Sequence, residues 1–167
     1  MTAADISGVV PVAAAAFPDH FEDRACFEER LALFSQGGFV LADGDVVKGY
    51  LIAYPWPHGK IPPLNSRLGG VPDTTETLYL HDLALHPDVR GQGHARPIVE
   101  RLVESARAWG AERIALVSVN GTRAFWQGFG FEPVTDDPAI TQKLASYGDG
   151  ALYMVKGIAN EQAGVVR

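Results

Sequence analysis

The chain has 167 residues, of which 47% are hydrophobic and 20% charged; this is the composition of one globular domain over 1–167 and excludes extended disorder and a multidomain machine. Lys+Arg 14 against Asp+Glu 20 leaves a formal net charge of −6, the wrong balance for a general nucleic-acid binder. The one cysteine, Cys26, cannot close an internal disulfide, no apolar run approaches the ~20 residues that span a bilayer, and the start MTAADISGVV has no basic leader, so a cytoplasmic chain without a membrane partner is expected.

Ile6, Val9, Val10 and Ala13 stand at helical spacing after Asp5, which predicts a helix over 4–16 with Pro11 as a complication. Between Phe21 and Phe34, a second helical face carries Cys26, Phe27, Arg30, Leu31 and Phe34 behind a group of acids, and Gly37-Gly38 ends it. The apolar runs 39–42 and 46–54 flank Asp43-Gly44-Asp45, the signature of a hairpin. From Pro55 to Thr77 the prolines Pro55, Pro57, Pro62, Pro63 and Pro72 forbid helix and central strand, so a long ordered loop is expected, a candidate substrate wall. Leu78 to Leu85 reads as a strand and 93–109 as an amphipathic helix, with Ile98, Val99, Leu102, Val103, Ala106 and Trp109 on one face and Pro97 in the first turn. A strand over 113–119, a short helix from Thr122 to Phe129 and strands at 131–135 and 151–158 complete the chain. The strand, helix, strand order over 78–119 makes those two strands a parallel, adjacent pair in an otherwise mostly antiparallel sheet flanked by helices.

The chemistry concentrates in Leu83-Ala84-Leu85-His86-Pro87-Asp88-Val89-Arg90-Gly91-Gln92-Gly93-His94-Ala95, a strand entering a glycine turn that opens the long helix. Small residues let successive backbone N–H groups converge on an anion, and the helix N-terminus adds partial positive charge, which points to pyrophosphate. No Gly-Lys-Ser/Thr follows, as a P-loop needs, and the third glycine of a dinucleotide fingerprint would fall at Arg96.

Arg90-Gly91-Gln92-Gly93-His94-Ala95 resembles the Arg/Gln-x-x-Gly-x-Gly/Ala signature of the GCN5-related N-acetyltransferase (GNAT) family, and Asn120, Ala124, Phe125, Trp126, Gly130 and Phe131 are similar to a second motif of that family. The order of elements from 4 to 158 is also similar, so the resemblance covers nearly the whole chain. It implies a single α/β acyltransferase domain in which the central parallel strands splay for coenzyme A. It further implies that the backbone of Leu83, Ala84 and Leu85 pairs with the pantetheine arm of acetyl-CoA, the cosubstrate. Arg90, Gly91, Gln92, Gly93, His94 and Ala95 would hold the pyrophosphate, while Asn120, Phe125 and Trp126 would line the path of the thiol end. The implied reaction is direct acetyl transfer to a small-molecule amine, with a protein N-terminus or lysine as the lesser alternative and a non-catalytic acyl-CoA sensor as the rival. A homodimer is left open. The short strand that usually precedes the family's first helix is missing, which suggests a truncated start or an open sheet edge.

Three side chains are candidates for proton transfer. Strand alternation sets Tyr79, His81, Leu83 and Leu85 on one face and Leu80, Asp82 and Ala84 on the other, with a backbone N–H near Leu85 as the implied oxyanion donor. His81, at the place where family members carry a Glu or His, is the first candidate base and Asp82 the second. A hydrogen-bonded core histidine and a backbone-bonded aspartate are the plainer readings of both. Trp126 stands where the family commonly has a tyrosine acid, and its indole donates but does not serve as a usable acid. Tyr147, in the turn before the last strand, is the substitute candidate. No metal is expected, since His81 and His86, five apart on a strand, point to opposite faces. The acids Glu22, Asp23, Glu28 and Glu29 would favour a cationic acceptor through long-range attraction.

Overall fold

The computed structural model describes residues 1–158; the far end of the expected 1–167 domain lies outside the described residues. Strand β1 (Gly38–Asp43) and strand β2 (Val46–Pro55) pair antiparallel around Gly44, whose φ of 57° is the left-handed conformation a tight hairpin demands. Strand β3 (Thr77–Leu85) returns antiparallel to β2 after the proline-rich loop. Helix α3 (Ala95–Trp109) then crosses over and delivers β4 (Arg113–Ser118) parallel to β3. Gly110, at φ 91°, stops α3 with its N–H returned to the carbonyls of Ala106 and Arg107. Strand β6 (Leu152–Gly157) inserts between β4 and the short β5 (Glu132–Pro133), so the described sheet has six strands in the order β1-β2-β3-β4-β6-β5.

Two apolar layers hold this sheet. Ile98, Val99, Leu102 and Ala106 of α3 pack on Leu78, Leu80, Ile114 and Leu116, and Trp126 of α4 (Arg123–Gln127) joins them. On the other face Ile6, Val9 and Val12 of α1 (Ile6–Ala16) and Phe27 of α2 (Arg24–Leu33) cover Tyr50, Ile52, Tyr54 and Tyr79. The central strands are buried on both faces, which is why they read as near-continuous apolar runs.

Several expectations need correction. The strand expected at 131–135 shrinks to Glu132–Pro133, where Pro133 has no N–H to extend a ladder. Thr122 does not cap α4; its hydroxyl donates to the Val119 carbonyl, and the helix ends at Gln127. A fifth helix, α5 (Pro138–Leu144), was not read from the sequence, although Asp137 accepts from the N–H groups of Ala139 and Ile140 with Pro138 at the first helical position. The largest correction concerns β3. Ile52 pairs with Asp82 but the next residue, Ala53, pairs with Leu80, so His81 is an extra, unpaired residue. This bulge breaks the alternation: Tyr79, His81, Asp82 and Ala84 all turn toward the α1–α2 face, whereas Leu80 and Leu83 turn toward α3.

Gly37, buried in the turn before β1, presses on β2 so closely that a Cβ there would lie 2.0 Å from the Ala53 carbonyl oxygen. Gly37→Ala is therefore expected to destabilise the fold by about 1–3 kcal/mol, read as a lower urea midpoint at unchanged m-value.

Candidate active site

Beyond the pair Leu80↔Leu116, β3 and β4 separate, and Leu83–Leu85 keep only their partners on β2. A cavity of about 420 Å³ opens in the gap. It is lined by Leu83, Ala84 and Leu85 of β3, by Arg90 and Ala95 at the entrance to α3, and by Asn120, Phe125 and Trp126 beyond β4. His81, Asp82 and Tyr147 line the same space, together with Leu64 of the loop expected as a substrate wall and with Phe17, His20 and Glu22, of which only Glu22 had a reading from the sequence, as one of the acids. Thus the separated cofactor and proton-transfer candidates meet in one cavity. Gly91, Gln92, Gly93 and His94 fall outside its lining, in the turn that links Arg90 to Ala95.

That turn has the shape of a cradle. Gly91 and Gly93 hold φ of 75° and 83°, and a Cβ on either would meet nothing within 4 Å. Arg90 and Gln92 brace the turn from within: Arg90 Nε donates to the Leu85 carbonyl at 2.9 Å and Gln92 Nε2 to the Asp88 carbonyl at 2.8 Å. Open backbone, positive φ and a following helix N-terminus suit a pyrophosphate, so these residues fit coenzyme A. Trp126 has two roles. It packs in the core against Phe131 and also walls the cavity, while Phe125 beside it is 41% exposed.

The floor is a buried polar network that the sequence had not assembled. Arg30, fully buried, grips Glu22 through Nη1 to Oε2 at 2.7 Å and Nη2 to Oε1 at 2.5 Å. Glu22 also accepts from His81 Nε2 at 2.9 Å and from the backbone N–H of Asn65 at 3.0 Å. Burial alone would raise the Glu22 carboxyl, but the hydrogen bonds from His81 and Arg30 outweigh it and hold the group well below the usual carboxylate range. Against the ionised Glu22 the His81 Nε2 is the donor, and Nδ1 lies 2.8 Å from the Tyr54 hydroxyl oxygen. Both nitrogens are thus engaged, and the His81 side chain is 2% exposed. One sequence signal marked this network: Arg30 is a charge on an otherwise apolar helix face.

Asp82 differs. Its described partner is the Tyr50 hydroxyl, which donates to Oδ2 at 3.0 Å, and burial raises its carboxyl above the ordinary range even though the His81 and Arg30 charges pull the other way. Tyr147 reaches the cavity wall and donates to the Pro62 carbonyl at 2.9 Å, tying the turn before β6 to the long loop; burial pushes its phenol up to about 12. Glu22, His81 and Asp82 offer ligand atoms within 4.8 Å of one another, the makings of a cation site. A divalent ion there would have to displace the guanidinium that already neutralises Glu22. Of the remaining acids, Glu28 pairs with Arg24, Glu29 accepts from the backbone N–H groups of Leu68 and Gly69, and Asp23 is exposed.

The model of the Acetyltransferase (GNAT) family matches residues 9–131, and the chain belongs to this family of acetyl-CoA-dependent N-acetyltransferases. No protein of curated function matches the chain in sequence. The fold is similar to the loading GNATL domain of CurA from Lyngbya majuscula, at TM-score 0.78, 12% identity and 95% coverage of both chains. It is similar also to Ard1 from Thermoplasma volcanium, at TM-score 0.71 and 11% identity over 96% of this chain and 95% of that one. The ribosomal-protein-S18-alanine N-acetyltransferase from Escherichia coli shares the fold at TM-score 0.62 and 16% identity, over 97% of this chain and 94% of that chain. No helix among the described residues is long and apolar enough to cross a membrane.

Removing Glu22 would strand a buried guanidinium. Glu22→Ala is expected to cost about 3–5 kcal/mol, and Arg30→Met in that background should recover part of the loss, both measured by chemical denaturation. Because the folded-state Glu22 is depressed, the pair's contribution is complete above its unfolded value near 4.5 and shrinks as the pH falls below it. The deficit of Glu22→Ala should therefore narrow in acid.

Proposed function

We propose that the protein acetylates the primary amine of a small molecule by direct attack in a ternary complex with acetyl-CoA. The observation that carries this reading is one cavity lined by Leu83–Leu85 and Arg90 together with a half-buried carboxylate, Asp82. The small acceptor is favoured over a polypeptide by the Tyr147–Pro62 bridge, which closes the wall between the long loop and the turn before β6.

Leu83–Leu85 and the turn 90–95 are the residues that would hold the coenzyme, with Asn120, Phe125 and Trp126 along its thiol end. When bound, acetyl-CoA supplies a thioester carbonyl to the amine nitrogen and a sulfur leaving group. Asp82 takes the acceptor's ammonium proton: it lines the cavity, and its raised carboxyl is a stronger base than an ordinary aspartate. His81 is a positioning residue in this scheme, since Glu22 and Tyr54 occupy its two nitrogens and fix the bulge that presents Asp82. A main-chain N–H near Leu85 is the donor for the oxyanion. Tyr147, which keeps its proton at neutral pH, is the hydroxyl donor that Trp126 is not.

Thiol release from acetyl-CoA is expected with at least one primary amine; coenzyme binding by calorimetry without turnover on any amine would favour the sensor reading. Gly93→Asp should weaken coenzyme binding at least ~10-fold relative to Gly93→Asn, which shares the left-handed strain and lacks the charge. For Asp82, kcat/KM of the wild type should rise with pH through one ionisation, and Asp82→Asn should remove that limb at a cost of roughly 10²–10⁴ in rate. A carboxyl raised by folding loses stability as the pH climbs through its folded value, so Asp82→Asn should also be more stable than wild type at neutral pH. Unchanged activity and unchanged pH profile in Asp82→Asn would return the base to His81.

A further inference from the structure

We infer that the acceptor is a monocationic amine on an apolar aromatic or alkyl body, with no carboxylate beside the amine, so that free α-amino acids and polyamines are excluded. This deepens the proposed function and rests on its acceptor site being the end of the cavity at Asp82. The argument is one of charge and lining. The acids on the cavity wall are Glu22 and Asp82. Glu22 is fully committed, since Arg30, His81 and the Asn65 N–H take its two oxygens. Asp82 is left as a single carboxylate, bonded to one hydroxyl and holding no cationic partner among the described residues. One unneutralised carboxylate suits one ammonium and not two.

An α-carboxylate on the acceptor would need a cation of its own. Arg30 is absent from the lining, entirely covered and spent on Glu22. Arg90 lines the cavity at the end of β3, where its Nε is turned to the Leu85 carbonyl beside the phosphate cradle. The other basic side chains on the wall are His81, held between Glu22 and Tyr54, and His20. The same cavity wall includes Ala16, Phe17, Leu64, Tyr79 and Tyr147, which offer hydrocarbon and ring faces to whatever carries the amine. A carboxylate on the substrate would thus meet Asp82 at short range, with the His20 imidazole as the one basic group on the described wall not engaged by a protein partner.

The test uses matched pairs: 2-phenylethylamine against phenylalanine, and hexylamine against 1,6-diaminohexane. Binding is measured by calorimetry on the protein with coenzyme A present, and thiol release from acetyl-CoA is followed separately. Each monoamine is expected to bind at least ~10-fold more tightly than its partner, with ~10² for the amino acid. Leu64→Arg, which adds a cation to the wall on the surface loop, should shrink the phenylethylamine preference, and His20→Gln should leave it in place. Equal or tighter binding of phenylalanine or the diamine, or no binding by either monoamine, overturns the inference. Selective binding without thiol release overturns the transfer reading and leaves the cavity's selectivity standing.

Discussion

Everything at the site leans on one buried contact, the two-pronged grip of Arg30 on Glu22. The pair joins α2 to the segment leading into it, and each remaining oxygen position on Glu22 is used to hold something else: the bulge of β3 through His81, and the long loop through the Asn65 N–H. The guanidinium also lies 6.0 Å from the ring centres of Phe27 and Tyr54, so helix and sheet close around it. Such a pair adds little net stability compared with a well-packed apolar substitute, and Arg30 even leaves its Nε without a partner. What it provides is arrangement. A hydrocarbon core would pack the same volume without deciding where His81 points.

The bulge turns that arrangement into chemistry. In a regular strand His81 and Asp82 would face opposite layers; the extra residue brings both under α1 and α2, each bonded to a tyrosine of β2. Their environments then diverge. His81 is held between an ion pair and a phenol and has no lone pair to spare, whereas Asp82 faces the cavity with a carboxyl that burial makes reluctant to ionise. Two neighbours in sequence come to differ in role because one side chain completes the floor and the other is left over.

The sheet, its parallel pair and the glycine turn before α3 were legible because they rest on local signals: Asp-Gly between apolar runs, glycines that need positive φ, and a helix with one clean apolar face. The strand, turn and helix start over Leu83 to Ala95 were legible for the same reason, since that stretch is contiguous. The acceptor side was not. It draws Phe17, Glu22, Leu64, His81 and Tyr147 from five separate stretches, and no periodicity connects them. The bulge escaped because it adds a residue without a glycine to mark it, so simple alternation misplaced Asp82 relative to His81. The acids of the second helical segment were read as a field acting at a distance, yet Glu22 and Glu29 each accept from backbone N–H groups of the loop. Charge counting cannot distinguish a solvated carboxylate from one used as a staple.

Those staples have an evolutionary side. Among the described residues the loop between β2 and β3 is fastened largely through its main chain, by the N–H groups of Gly59, Asn65, Leu68 and Gly69 and the Pro62 carbonyl, while the Asn65 side chain accepts from the N–H of Asp23. Donors of this kind are present whatever residue stands at the position, proline excepted. Residues such as Leu64 can therefore be exchanged, by drift or by an engineer, without unfastening the segment that carries them. A scaffold anchored in this way separates the inheritance of shape from the choice of what the cavity admits.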